Sequence, residues 1–238
     1  MRKGSKAIQP RQLLLVGVCI WAMILSLVMP VAPVGAHEVS EGSAFVEVPT
    51  YTQQRNLSCE YASMVIAMGA YDVWVSEWVF DEMVPLSDNP HWGYRGDITG
   101  WWGNTTDYGV YPEPLVGPLA QLGFRGEVFY AQGDSSALTN FLDNGVPVVI
   151  WIGLWGDQGF YEYAHDGTPY KLNPGYHVVV AYGYDESGVY AADPATGGTV
   201  SWAWGDFMWM WDALDGMSMA VWPLVGSSGA AAASPVCC

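Results

Sequence analysis

Residues Gln53 to Asp72 read QQRNLSCEYASMVIAMGAYD. The stretch sets a cysteine, Cys59, at the mouth of an apolar run in which Ala62, Val65, Ile66 and Met68 recur at helical spacing. Ser58 stands where an N-cap belongs, Glu60 puts a negative charge in the first turn, and Gly69 suits a helix end. A cysteine there is either a small hydrophobe filling a core or a nucleophile. In the second case the outward-pointing N–H groups of the helix N-terminus favour its thiolate. Which of the two applies depends on whether the rest of the chain supplies a base, an orienting acid and an oxyanion donor.

The chain must first be divided. Residues 1–36 hold Arg2, Lys3, Lys6 and Arg11 with no acid, then the apolar run LLLVGVCIWAMILSLVM, then PVAPVGA with Val34 and Ala36 placed for cleavage. That order is the grammar of a secretory signal. The run approaches the ~20 residues that span a bilayer, so an uncleaved anchor is the alternative and the only membrane association expected. Either way the remainder is expected to be extracellular or at the cell surface. Residues 37–45 read as a linker, 46–225 as one domain large enough to bury a core, and 226–238 (GSSGAAAASPVCC) as a disordered low-complexity tail.

Beyond residue 36 only Arg55, Arg95, Arg125 and Lys171 face 24 acids. Such a balance repels nucleic acid and anionic lipid. Cys19 falls in the signal, Cys237 and Cys238 in the tail, so Cys59 has no partner within the body and no disulfide can staple the core. No spacing of cysteines and histidines suits zinc, and no glycine-rich phosphate loop joins a strand to a helix, so neither metal nor cofactor is expected.

The element pattern is a helical half followed by a mostly antiparallel sheet half, an α+β architecture. FVEVPTY reads as a strand, SEWVFDEMV as a short helix capped by Ser76, and residues 85–114 as a long ordered loop rich in Gly, Pro and Trp. PLVGPLAQLG and SSALTNFLDNG read as helices, GEVFYAQ and VPVVIWIGLW as strands. GYHVVVAYGYDESGVYAADPATG reads as a hairpin turning at DESG. FMWMWDAL closes with a helix and MSMAVWPL with a strand.

The hairpin brings chemistry with it. His177 begins its first strand and Asp193 ends the second, so antiparallel pairing makes them neighbours across 16 residues of sequence. They can act as base and orienting acid for Cys59. Gln53, six residues before Cys59, can donate its amide to an oxyanion together with a backbone N–H. The other histidines read differently: His37 as solvated, His91 as part of the Trp/Gly loop, His165 as an exposed turn residue.

With these residues in order, QQRNLSCEYAS, VPVVIWIG, the GYHVVVAYGYDESGVYAADPATG hairpin and the FMWMW helix resemble cysteine peptidase family thirty-nine, whose best-known members are the bacteriocin-processing, double-glycine peptidases. The resemblance runs from about Val46 to Leu224. It implies a papain-like fold and a peptide or protein substrate, with Cys59 as nucleophile, His177 as general base, Asp193 as orienting acid and Gln53 as oxyanion donor. Here Ser58 and Glu60 flank the nucleophile where the bacteriocin processors usually carry Asp and Gly. Those enzymes are also commonly fused to a transporter, whereas this chain carries an export signal. Cleavage after a double-glycine leader is therefore not implied, and hydrolysis of a peptide bond is.

Two readings compete with a secreted peptidase. A transglutaminase-like enzyme would pass the acyl group to an amine. A non-catalytic module would bind glycan or peptide through the tryptophans at 92, 101, 102, 155, 202, 204, 209 and 211, although most of these are expected in the core or bracing the long loop.

Overall fold

The protein is described by a computed structural model that covers residues 42–224. The expected 1–36 signal, most of the expected linker and the expected 226–238 tail lie outside the described residues. Helix α1 (Cys59–Gly69) lies against an antiparallel sheet built from β1 (Ala44–Phe45), β2 (Phe124–Tyr130), β3 (Val148–Gly153), β6 (Tyr176–Asp185), β7 (Gly188–Asp193), β8 (Gly198–Ala203) and β9 (Met217–Pro223). The strand order is β2-β9-β3-β6-β7-β8, with β1 pairing β6 at its far end. A separate hairpin, β4 (Phe160–Tyr163) and β5 (Pro169–Leu172), stands off the main sheet. The helices α2 (Val79–Met83), α3 (Glu113–Gln121), α4 (Ser136–Asp143) and α5 (Trp204–Asp212) complete the chain.

The pattern of apolar residues in β3 and β6 explains the layering. Both strands are continuous β-branched and aromatic runs, as expected of strands covered on two faces. Val149, Trp151, Val178 and Val180 pack in one core with Tyr61, Met64, Ile66 and Met68 of α1 and its neighbours. The alternate residues Val148, Ile150, Ile152, Val179 and Ala181 pack in a second core with Leu138 and Leu142 of α4 and Phe207, Met208 and Trp211 of α5. Every residue of α1 is buried, so this helix is a core element rather than an amphipathic surface one.

The α+β expectation holds, and most expected elements appear in place. Several details differ. The strand expected in FVEVPTY shortens to β1, two residues that begin inside the expected linker. The β4–β5 hairpin and β8 are additional; their solvent-facing alternate residues dilute the apolar signal. Gly69 is not a left-handed cap. Asp72 takes the positive φ after α1, while Gly69 is bare because a Cβ there would lie 2.6 Å from Pro49. The long loop after α2 is ordered as expected, tied by short bridges between Leu86 and Tyr94 and between Arg95 and Gly109.

Ser58 occupies the N-cap position of α1 but makes no side-chain cap. Its hydroxyl instead lies 3.0 Å from Glu77 Oε1, which also accepts Arg55 Nε at 3.3 Å and the Gln54 N–H at 3.2 Å. Glu77 is buried and burial pushes its carboxyl up, against the pull of these donors. Arg55 is buried too, reaches Asp81 with Nη1 at 2.6 Å and lies over the Trp78 ring. This cluster anchors the segment that leads into α1. Removing one partner leaves a buried charge uncompensated, which typically costs about 3–5 kcal/mol. Arg55→Ala should therefore lower the melting temperature by several degrees, at roughly 2–4 °C per kcal/mol for a domain of this size. Adding Glu77→Gln should restore part of the loss in calorimetry, since the orphaned charge is then gone.

Candidate active site

The β6–β7 hairpin forms as its sequence suggests, with Val180 opposite Ala192. Asp193 then falls opposite Val179, diagonal to His177 on the same face, a spacing long side chains can bridge. They do: His177 Nε2 lies 2.7 Å from Asp193 Oδ1, and both residues are buried. The acid is further held by the Ala195 N–H at 2.9 Å and the Thr196 hydroxyl at 3.1 Å. Burial alone would raise the Asp193 carboxyl, but the bond to His177, its charge and these donors outweigh it and leave the group below its usual value. An ionised Asp193 only accepts, so Nε2 carries the proton and Nδ1 is left as the imidazole's acceptor. Nδ1 carries no hydrogen bond among the described residues.

Cys59 sits at the first residue of α1, as expected, but its surroundings act against a thiolate. The free thiol is buried, and its Sγ lies 3.5 Å from Glu60 Oε2. Its other hydrogen bonds are with the backbone, at Val178 of β6 and at Glu60. Burial first, and then the Glu60 carboxylate, push the thiol well above its usual value. The expectation that the helix N-terminus would lower it is therefore corrected. The thiol meets strand β6 one residue beyond His177, and no hydrogen bond joins Sγ to the imidazole.

Glu60, which the sequence reading treats only as a helix-end charge, is a central group. It is fully buried. Oε1 accepts the Val110 N–H at 2.9 Å and a short hydrogen bond from the Tyr176 hydroxyl. Tyr176 immediately precedes His177, so one carboxylate links the cysteine's helix, the histidine's strand and the loop at Val110. Tyr108 packs at a tilt against Tyr176, with ring centroids 4.3 Å apart, and bonds Tyr111 at 2.8 Å. Gly109 must be bare, because a Cβ there would lie 2.0 Å from Glu60 Oε1. The available signal was an acid inside an otherwise apolar helix, beside a lone cysteine.

Gln53 is held beside the acid: its N–H donates to the Pro194 carbonyl at 2.9 Å. Its side-chain amide is turned to its own loop, Nε2 donating to the carbonyls of Arg55 at 2.8 Å and Asn56 at 2.9 Å. Gln53, Asn56, Trp101, Trp102 and Ala195 line a surface cleft of about 400 Å³. Trp102 is fixed by its indole N–H, which donates to the Tyr176 carbonyl at 2.8 Å, and it packs edge-on to Trp155. Trp101 is 84% exposed. Most of the eight tryptophans are expected in the core or bracing the long loop: Trp204 and Trp211 are buried, Trp202 packs against the second core and Trp102 ties the long loop to Tyr176, but Trp92, Trp101, Trp102, Trp155 and Trp209 are exposed.

The remaining histidines lie elsewhere. His91 bonds Glu113 at 2.9 Å in the long loop, and His165 is an exposed residue of the β4–β5 turn. His37 lies outside the described residues. Among the described residues no group of three or more His, Cys, Asp or Glu is arranged to hold a metal ion.

Comparison with known proteins places the fold and the family. No curated protein matches the chain. A solved structure of a C39-like peptidase from Bacillus anthracis is 20% identical, with a TM-score of 0.65, and the match covers 76% of this chain and 98% of that one. The peptidase domain of Streptococcus ComA, a bi-functional ABC transporter, is 14% identical with a TM-score of 0.48, covering 74% and 99%. A double glycine motif protease from an AMS/PCAT transporter, in complex with its leader peptide, is 14% identical with a TM-score of 0.46, covering 76% and 94%. The first of these carries the papain-like fold assignment. Residues 45–219, three quarters of the chain and nearly all of the fold described above, match the family model for the Peptidase_C39 like family, and the chain belongs to that family.

Proposed function

We propose that this protein is a cysteine peptidase acting outside the cytoplasm, with Cys59 as nucleophile, His177 as general base, Asp193 as the acid that orients it, and Gln53 as an oxyanion donor. The observation that carries the reading is the 2.7 Å contact between His177 Nε2 and Asp193, which leaves Nδ1 as acceptor on the strand that meets the Cys59 helix. The composition of the N-terminal 36 residues supports export.

The chemistry follows from these roles. Nδ1 of His177 takes the thiol proton, and the Sγ electron pair attacks the carbonyl carbon of the scissile bond. The carbonyl oxygen becomes an oxyanion, held by the N–H of Cys59 and one N–H of Gln53. For that, Gln53 releases one of its two loop carbonyls. The imidazolium, stabilised by ionised Asp193, gives its proton to the leaving amine as the C–N bond breaks. His177 then deprotonates a water that attacks the thioester, releasing the acid and restoring the thiol. The substrate is a peptide that lies along the cleft against Trp101 and Trp102, which offer flat apolar contact next to Gln53.

A peptide-library digest read by mass spectrometry supplies a substrate and tests the reading. Cys59→Ala should abolish cleavage with the melting temperature kept; hydrolysis that survives it would end the proposal. Asp193→Asn should lower kcat by roughly 10²–10⁴-fold, since the wrong tautomer is then favoured. Gln53→Ala should lower kcat by about 10²-fold with little change in KM, the mark of a donor that acts in the transition state. Trp101→Ala should do the reverse, raising KM several-fold at nearly constant kcat.

A further inference from the structure

The carboxyl of Glu60 has no role in the scheme above, yet it touches the nucleophile. We propose that Glu60 is a positioning residue that stores Cys59 as a neutral thiol in the free enzyme, so that the resting site is thiol and imidazole rather than thiolate and imidazolium. This rests on Cys59 being the nucleophile.

The geometry assigns each oxygen a task. Oε1 is saturated by the Val110 N–H and the Tyr176 hydroxyl, which fix the carboxylate. Oε2 faces Sγ at 3.5 Å, where the S–H can donate to it. A buried carboxylate and a thiolate at that distance repel, so the pair carries at most one negative charge. No cation offsets it. Among the described residues Arg55 pairs with Glu77 and Asp81, Arg95 with Glu162, Arg125 with Glu127 and Lys171 with Asp215. The titratable groups around the pair are Tyr61 on its own helix, Tyr94 and Tyr108 from the long loop, and Tyr176 on β6, with His177 the next residue of that strand. The tyrosines are all held neutral by burial. Burial raises the Glu60 carboxyl too, but the hydrogen bonds from Tyr176 and Val110 pull against that rise, so the shared proton stays on sulfur; burial first, and then this carboxylate, raise the thiol. Turnover begins when the thiol leaves Oε2 and passes its proton to Nδ1 of His177, a step that consumes no other reactant. A stored thiol is also slow to oxidise.

Glu60→Gln isolates the charge. Its Oε1 can keep both donors, while the atom facing sulfur changes from an acceptor to an N–H that favours thiolate. The experiment is iodoacetamide labelling of Cys59 in the full chain across pH, read on the Cys59 peptide by mass spectrometry, with melting temperature as the fold control. The wild type should show a labelling midpoint above the ordinary thiol value of ~8.5. Glu60→Gln should lower that midpoint and speed labelling at pH 7 by about tenfold, allowing for the weaker nucleophilicity of a more acidic thiol. An unchanged profile in Glu60→Gln would reduce Glu60 to a structural bracket. Slower labelling would make it a base for the thiol. A wild-type midpoint below ~8.5 would overturn the proposal even if the variant fails to fold. Labelling needs no substrate, so these outcomes stand apart from whether any peptide is cleaved.

Discussion

Strand β6 cannot move, and the site depends on it. It is hydrogen-bonded to β3 on one edge and to β7 on the other, and its apolar residues are packed on both faces. Shifting it by one residue would exchange Val178 and Val180 with Val179 and Ala181 between two filled cores. That fixes His177 at its start. Tyr176 anchors the same turn from three sides, through Glu60, the Tyr108 carbonyl and the indole of Trp102. Asp193 is fixed by the neighbouring strand, and Gln53 by its bond to Pro194 directly after it. The residues come from two distant stretches of the sequence, 53–59 and 177–193, and both are tied to one rigid element.

Charge scarcity shapes how the chain buries its acids. Glu77 is solved with a cation, Arg55, at the expense of stripping both of water. Glu60 is solved without one, by a backbone N–H and a phenol. The second arrangement leaves the carboxylate's charge felt by whatever lies next to it, and what lies next to it is the thiol. The two buried glutamates thus serve opposite ends: one is neutralised to hold a loop, the other is left electrically active beside Cys59.

The sequence made the frame legible because its signals were strong and local. The continuous apolar runs of β3 and β6, the DESG turn and the helical spacing after Cys59 each report a single element. The His177–Asp193 pair was legible because antiparallel geometry converts sequence order into adjacency. Glu60 was not, because its meaning depends on Tyr176 and Val110, 116 and 50 positions away. Ser58 misled for a related reason: a distant buried carboxylate, Glu77, competes for its hydroxyl more strongly than its own helix does. Gln53 lines the cleft, but which way its amide points is set by the loop carbonyls of Arg55 and Asn56, which its sequence position does not report.

Magnitudes explain why the thiol departs from the sequence expectation. A helix N-terminus is worth roughly 0.3–1 kcal/mol to a nearby anion, and up to about 2 in a partly buried setting. Two like charges about 4 Å apart at a protein surface cost on the order of 4 kcal/mol. The thiol of Cys59 meets both, since Glu60 belongs to the same first turn whose N–H groups would stabilise it. Burial is the larger opponent of the thiolate and the carboxylate adds to it. The residue after the cysteine therefore opposes the same dipole that would favour its thiolate, and with burial on the same side the dipole is outweighed.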